Sequence, residues 1–322
     1  MRRFLATAAS SAPTNLSATR AVLAVAGKDA TRFLNGLLAQ DLAPLQRNEP
    51  LYSAVLDARG RLTHDVFLHP APDDRSAVLV DCDSEHSAQL LKDWTRRRLR
   101  MKVTLEDISH DVAVVADLAN TTPSLPPDAR SIAELGSRGI LPAVSAPPSQ
   151  TALANAYRLR RWELGVAEGH AELQYGRSLP LETNAEGLHG VSFEKGCYVG
   201  QELTARTHFR GVVRKRVMPF TVSDECAPLA VGTALRRADA AAAASTRRAR
   251  SDGEVWAYDA DERRGLALVR IAAVAEGGPL APFDPDADVG DSAPRQCEVH
   301  VTRPAWWPAR WGNEDAEEPR WG

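Results

Sequence analysis

The chain has 322 residues, 44% of them apolar and 25% charged, a balance that supports a buried core and leaves room for two domains. A net charge of −3 is close to neutral, so at the level of the whole chain nothing suggests a nucleic-acid binder or an acidic-surface partner, local basic patches aside. No run approaches the ~18 consecutive apolar residues of a membrane-spanning helix, so neither nucleic acid nor membrane is an expected partner.

In chain order the predicted elements begin with a leader. Arg2, Arg3, Phe4 and Leu5 precede a stretch rich in Ala, Thr and Ser up to Arg20, with no acidic residue before Asp29. Residues 1–20 therefore read as an organelle transit peptide, with a disordered tail as the alternative. Residues 21–25 read as a strand, and Gly27 and Asp29 lead into a helical pattern at Phe33, Leu34, Leu37 and Leu38. Two strand-like runs, 52–56 and 62–68, flank Asp57, Ala58, Arg59 and Gly60, a turn-type cluster that predicts a hairpin. A third strand is expected over 77–80, then a helix carrying Leu90, Leu91 and Trp94, then a strand over 111–118.

The proline-rich stretch 121–150 reads as a loop, and 157–162 as a strand-like piece. An alanine-rich, then basic, insert over 240–250 reads as a solvated excursion. Short strands at 253–258, 265–271 and 297–301, joined by Gly, Asp and Pro turns, suggest a small antiparallel barrel. The domain reading is a body over 21–215, a barrel over 216–305 and a loosely held tail over 306–322.

The four cysteines, Cys82, Cys197, Cys226 and Cys297, show no Cys-x-x-Cys or Cys/His ligand spacing. Neither a zinc site nor a self-contained cluster is expected, and disulfides are not expected in a reducing compartment. Only Cys197 has the neighbours of a reactive thiol, in the run Lys195, Gly196, Cys197, Tyr198, Val199, Gly200, Gln201, Glu202. Glycines on both sides allow a sharp turn and close approach to a ligand, and a cationic neighbour favours the thiolate. The alternative is a structural thiol in an ordinary turn.

As a nucleophile Cys197 needs a base, for which His189 or His208 could serve. As a metal ligand it supplies one of the four thiolates a cluster normally takes, so the rest must come from another molecule. Gln201 and Glu202 are residue types that read a pterin-like ring by paired hydrogen bonds, or they satisfy the turn's own backbone. Arg206, His208, Arg210, Arg214, Lys215 and Arg216 form a cationic strip whose alternation would put half on one face of a strand. Such a strip suits a folate carboxylate tail, an acidic partner or plain solvent.

The octad starting at Lys195 resembles the signature of the YgfZ-type iron–sulfur cluster assembly factors, relatives of the glycine-cleavage T-protein, which reads Lys-Gly-Cys-Tyr/Phe-x-Gly-Gln-Glu. Leu179, Pro180, Glu182, Asn184 and Gly190 to Phe193 before it, and Arg206, His208, Arg210, Gly211 and Arg214 after it, extend the likeness. A weaker likeness places Gly60, Arg61, Leu62, Thr63, His64 and Asp65 where T-proteins carry a Gly-Gly-Ile-x-Asp-Asp turn. Arg61 and His64 depart from that pattern. Phe33 and Asp41, flanking Asn35, Gly36 and Leu37, resemble the family's first helix and its following turn, where packing is the expected role.

The resemblance implies an α+β fold: a T-protein-like folate-binding body with antiparallel sheets around a central channel, plus a C-terminal small β-barrel. It implies that the channel holds tetrahydrofolate, with Asp65, Gly196, Tyr198, Gly200, Gln201, Glu202 and Arg206 as the cofactor-binding residues. It makes Cys197 and Lys195 the reactive pair, with Cys197 a ligand of a transient [2Fe-2S] cluster shared with an A-type carrier protein. The implied role is maturation of [4Fe-4S] client enzymes in the mitochondrial matrix, a plastid being the alternative compartment. Turnover of a substrate is left open. Two other readings stand beside it: a folate-dependent aminomethyltransferase-like enzyme, and a non-catalytic adaptor that docks clients by the cationic strip and barrel.

Overall fold

A computed structural model describes residues 12–72, 74, 77–237, 251–283 and 297–311. The start of the predicted leader, the insert at 240–250 and the end of the predicted tail lie outside the described residues. The chain forms two compact units: Met1–Arg160 with Glu168–Pro180 and Ala185–Arg210, and Gly211–Gly322 with Arg161–Ala167 and Leu181–Asn184. Among the described residues no helix is long and apolar enough to cross a membrane.

The first unit contains strands β1 (Thr14–Asn15), β2 (Arg20–Ala26), β3 (Leu51–Leu56), β4 (Leu62–Pro70), β5 (Val78–Asp83), β6 (Thr104–Asp107), β7 (Val112–Asp117) and β8 (Ser137–Pro142). Five pair in the order β3-β4-β5-β2-β6, and three in the order β1-β7-β8. Helices α1 (Ala30–Leu37) and α3 (Ser87–Arg97) lay Phe33, Leu34, Leu37, Leu90 and Trp94 on the larger sheet, where Phe33 and Trp94 meet edge to face. Their spacing of three and four residues gives each helix one apolar stripe. A short helix α2 (Ala43–Gln46) carries proline in its first turn. The edge strand β3 is buried throughout, and Gly190 O accepts the Ala54 N–H, which covers part of an otherwise open edge.

Four expectations need correction in this unit. Residues 157–162 belong to a helix, α4 (Thr151–Glu163), whose last turn falls in the second unit. Tyr157, Arg161 and Trp162 are its buried positions, a helical spacing too short to see in a six-residue window, and Ala152, Ala154 and Ala156 favour helix. The stretch 121–150 contains β8, paired with β7 along its whole length. The cationic strip opens on helix α6 (Gln201–Arg210), so Arg206, His208 and Arg210 do not alternate as on a strand. The expected leader overlaps folded residues: Thr14 pairs with Ala116 across β1 and β7, and Arg20 is buried.

The second unit is a closed antiparallel barrel of β9 (Lys215–Val222), β10 (Ala234–Arg237), β11 (Gly253–Asp259), β12 (Arg264–Arg270), β13 (Leu280–Phe283) and β14 (Val299–Val301), in the order β10-β11-β12-β9-β14-β13. Phe220, Leu235, Val255, Val269 and Val299 are inward and buried, as closure without free edges requires. Cys226 and Cys297 form a disulfide, contrary to expectation. The register explains it: Val222 pairs with Val299, so the residues leaving β9 and entering β14 meet although they are 71 positions apart. The predicted tail is not loose at its start either. Trp307 and Trp311 are buried against Met218, and the Arg216 guanidinium lies 3.4 Å from the Trp311 ring centre.

Candidate functional site

The Cys197 turn is assembled on the end of α1. A helix leaves its last carbonyls without intrahelical partners, and a cation there completes them. The Lys195 ammonium does this, donating to Asn35 O at 2.8 Å, Leu38 O at 2.8 Å and Gln40 O at 3.1 Å. Burial draws its pKa down to about 8, opposed by the Asp41 carboxylate, and the three carbonyls favour the charged form. Around it Ser192 N donates to Ala39 O and Val199 N to Gly36 O, while Ser192 Oγ accepts the Glu194 and Lys195 amides. The turn is thus pinned on both sides of the thiol.

Its far end is locked to the β3–β4 hairpin. Asp57 Oδ1 accepts the Arg59 and Arg61 amides and shapes the hairpin tip. Gly200 has φ +80° and approaches so closely that a Cβ there would lie 2.3 Å from Asp57 O. Gly60, with φ +77°, faces Gly200 O and Leu203 in the same way. The two glycine motifs singled out in the sequence are therefore one contact. Gly196 differs: a Cβ there meets nothing within 4 Å, so no steric demand fixes it as glycine.

Between these anchors Cys197 is a free, exposed thiol. The other free cysteine, Cys82 in β5, is buried, and burial pushes its pKa up. Tyr198 is buried beside Cys197, its ring centre 5.2 Å from the Lys195 ammonium, and burial pushes its pKa up to about 12. Gln201 opens α6 half-buried, and Glu202 and Arg206 are exposed on that helix. His208 stacks on Phe193 at 3.6 Å and its Nδ1 lies 3.4 Å from Glu186 Oε2, so its ring is engaged there. Phe209 beside it is 67% exposed.

Asp65 is placed in a different setting. It is fully buried in β4 within a layer of three arginines and four carboxylates: Arg20, Arg130 and Arg138 with Asp65, Asp81, Asp128 and Glu168. Its carboxylate accepts from Tyr175 Oη, from Gly169 N at 3.0 Å and from Arg20 Nη1 at 3.2 Å. Arg138 joins Asp81 to Glu168 and Tyr157, and Arg130 joins Asp128 to the same two groups. The Phe67 ring faces all three guanidinium groups, at 3.9, 4.8 and 5.5 Å. Burial works to lower the Arg20 pKa, but Asp81, Asp65 and Glu168 outweigh it and hold it well above the ordinary value. Tyr175 is raised by burial and by Asp65.

This arrangement tests tetrahydrofolate at Asp65. A pterin-facing acid must be reachable, and Asp65 has no exposure to solvent while its oxygens take three donors from the protein. The residues do not fit that use. Sequence reasoning missed the partners that close this layer: Arg20 stood only as the end of the expected leader, and Arg130 and Arg138 lie in a stretch read as a loop. It also missed the carbonyls of Asn35, Leu38 and Gln40 as the seat of Lys195.

Comparison with known proteins bears on the family and the fold. The model of the CAF17 C-terminal beta-barrel domain matches residues 214–309. The chain is similar to the protein named "Iron-sulfur cluster assembly factor IBA57 homolog, mitochondrial" from Mycosarcoma maydis, 37% identical over 246 residues covering 68% of this chain and 61% of the relative. The Chaetomium globosum protein of the same name is 37% identical over 237 residues, 62% of this chain and 54% of the relative. The chain thus spans little more than half the length of these relatives. The Aspergillus fumigatus one is 31% identical with 88% of this chain and 77% of the relative covered. Among solved structures, the glycine cleavage system aminomethyltransferase T from Bartonella henselae shares the fold, with a TM-score of 0.62 at 14% identity over 92% of this chain and 86% of that one.

Proposed function

The chain belongs to the IBA57 family of iron–sulfur cluster assembly factors, and from that membership we propose that it assembles iron–sulfur clusters in mitochondria, with Cys197 as the ligand it contributes. The observation that carries this reading is an exposed thiol on a turn pinned at Lys195 and Val199. A single thiolate leaves most of a cluster's ligand positions to another molecule. The cluster is therefore shared cargo: a [2Fe-2S] unit bridged between Cys197 and an A-type carrier protein in the matrix, on its way to [4Fe-4S] client enzymes.

Each neighbour has a part in this. Lys195 positions the turn through the α1 carbonyls, Gly200 locks it to the hairpin, and the exposed Phe209 on α6 offers an apolar contact for a docking protein. Asp65 is sealed from a tetrahydrofolate ring, and no step of the proposal passes through it. An aminomethyltransferase-like reading would call on that same buried acid.

The test is anaerobic visible absorption and circular dichroism of the chain mixed with an A-type carrier, iron and sulfide, for the unaltered protein and Cys197→Ser. A [2Fe-2S] spectrum in a stable complex is expected for the former and not for the latter. Identical behaviour would remove Cys197 as a ligand. The full chain carrying a C-terminal fluorescent reporter tests the compartment, and a diffuse cytosolic signal would contradict it.

A further inference from the structure

Three of the chain's eight histidines, His64, His86 and His170, meet around Tyr175, far from the Cys197 turn in sequence. His86 stands at the start of α3 and His170 opens the short helix α5 (His170–Leu173). Their rings lie 4.0 Å apart, and a ligand atom from each, together with a carboxylate oxygen of Glu85, falls within 4.8 Å of the others. Asp83 organises the pair. Its Oδ1 accepts His86 N at 3.1 Å and lies 3.3 Å from His86 Nδ1, and its Oδ2 accepts His170 N at 2.9 Å. One buried carboxylate thus holds both histidine-bearing segments.

We propose that Glu85, His86 and His170 bind a divalent first-row transition metal ion. Two imidazoles and one carboxylate are a donor set for such ions, with the remaining positions open to water. Nδ1 of His86 faces Asp83, which leaves Nε2 as its coordinating atom, the arrangement in which an outer carboxylate orients a metal-binding imidazole. His64 adds a buried imidazole whose Nε2 lies 3.3 Å from His86 O and whose Nδ1 has no partner. The ligands are half-buried or exposed, so the site is open to an ion from solvent. No Cys/His spacing in the sequence could show it, because the ligands come from segments joined only by the fold.

The test is titration of the untagged full chain with Zn²⁺ by calorimetry and with Co²⁺ by visible absorption, in the Cys197→Ser background so that the exposed thiol does not contribute. One saturable equivalent is expected, with Co²⁺ ligand-field bands. His86→Gln and His170→Gln should each weaken binding at least about tenfold. Glu85→Gln, at an exposed position that folding does not require, should weaken it as well and decides the matter if either histidine variant loses its far-ultraviolet spectrum. Absence of one-to-one binding, or binding unchanged in Glu85→Gln and in the folded histidine variants, would overturn the proposal.

Discussion

Asp65 lies on a strand and is sealed in a layer of buried ion pairs, whereas Cys197 lies on a glycine-bearing turn and stands in solvent. At Asp65 every oxygen has a donor, and the neighbouring charges are paired with one another. At Cys197 the turn is pinned on both sides, at Lys195 and Val199, and the side chain is exposed. The contrast teaches where a ligand can enter. Asp65 is part of the framework here, and the exposed thiol lies on a separate turn.

The strongest way to break this contrast is to remove a cation from the buried layer. Arg138→Met removes a cation from Asp81, which keeps Arg20, and from Glu168, which keeps Arg130, and loss of one member of a buried ion pair costs about 3–5 kcal/mol. Urea unfolding should show that loss. A cost under about 1 kcal/mol would mean that the layer is wet and open to ligands after all.

Acid acts on the same layer. His69 in β4 is buried, and burial draws its pKa down to about 4, with Asp81 raising it and Arg138 lowering it. Asp128 and Arg20 act on it more weakly. Because the unfolded chain takes up this proton near pH 6.5, the contribution is intact above that value and is lost as pH falls towards 4. The expected loss is on the order of 3 kcal/mol. Unfolding midpoints at pH 7, 5.5 and 4.5 check it, and a flat profile would show that His69 is solvated.

The exposed region should respond more weakly. Lys195→Met removes three hydrogen bonds to the end of α1 and should cost about 1–3 kcal/mol, with cluster formation impaired because the turn loosens. Cys197→Ser should change stability by less than about 0.5 kcal/mol, since the side chain is exposed. A folded protein that has lost its cluster is the signature of a ligand.

The legible and illegible parts of the sequence divide along the same line. The hairpin at Gly60, the turn at Cys197 and most barrel strands are local, and their glycines and alternating apolar residues announce them. Arg20, Asp65, Asp81, Arg138 and Glu168 come from five separate segments, so their pairing depends on sheet register and long-range packing. The Cys226–Cys297 disulfide and the Asp83 contacts to His86 and His170 are hidden for the same reason. Helix α4 was concealed by its own aromatic and β-like end, where burial of Tyr157 and Trp162 outweighs short-window pattern.

The most direct test of the central claim compares the two free thiols by iodoacetamide labelling and mass spectrometry, on the chain alone and in a cluster-loaded complex with an A-type carrier. Cys197 should be labelled and Cys82 not in the free chain, and Cys197 should become protected in the complex until a chelator removes the iron. Labelling of Cys197 at the same rate with and without the cluster would contradict that claim.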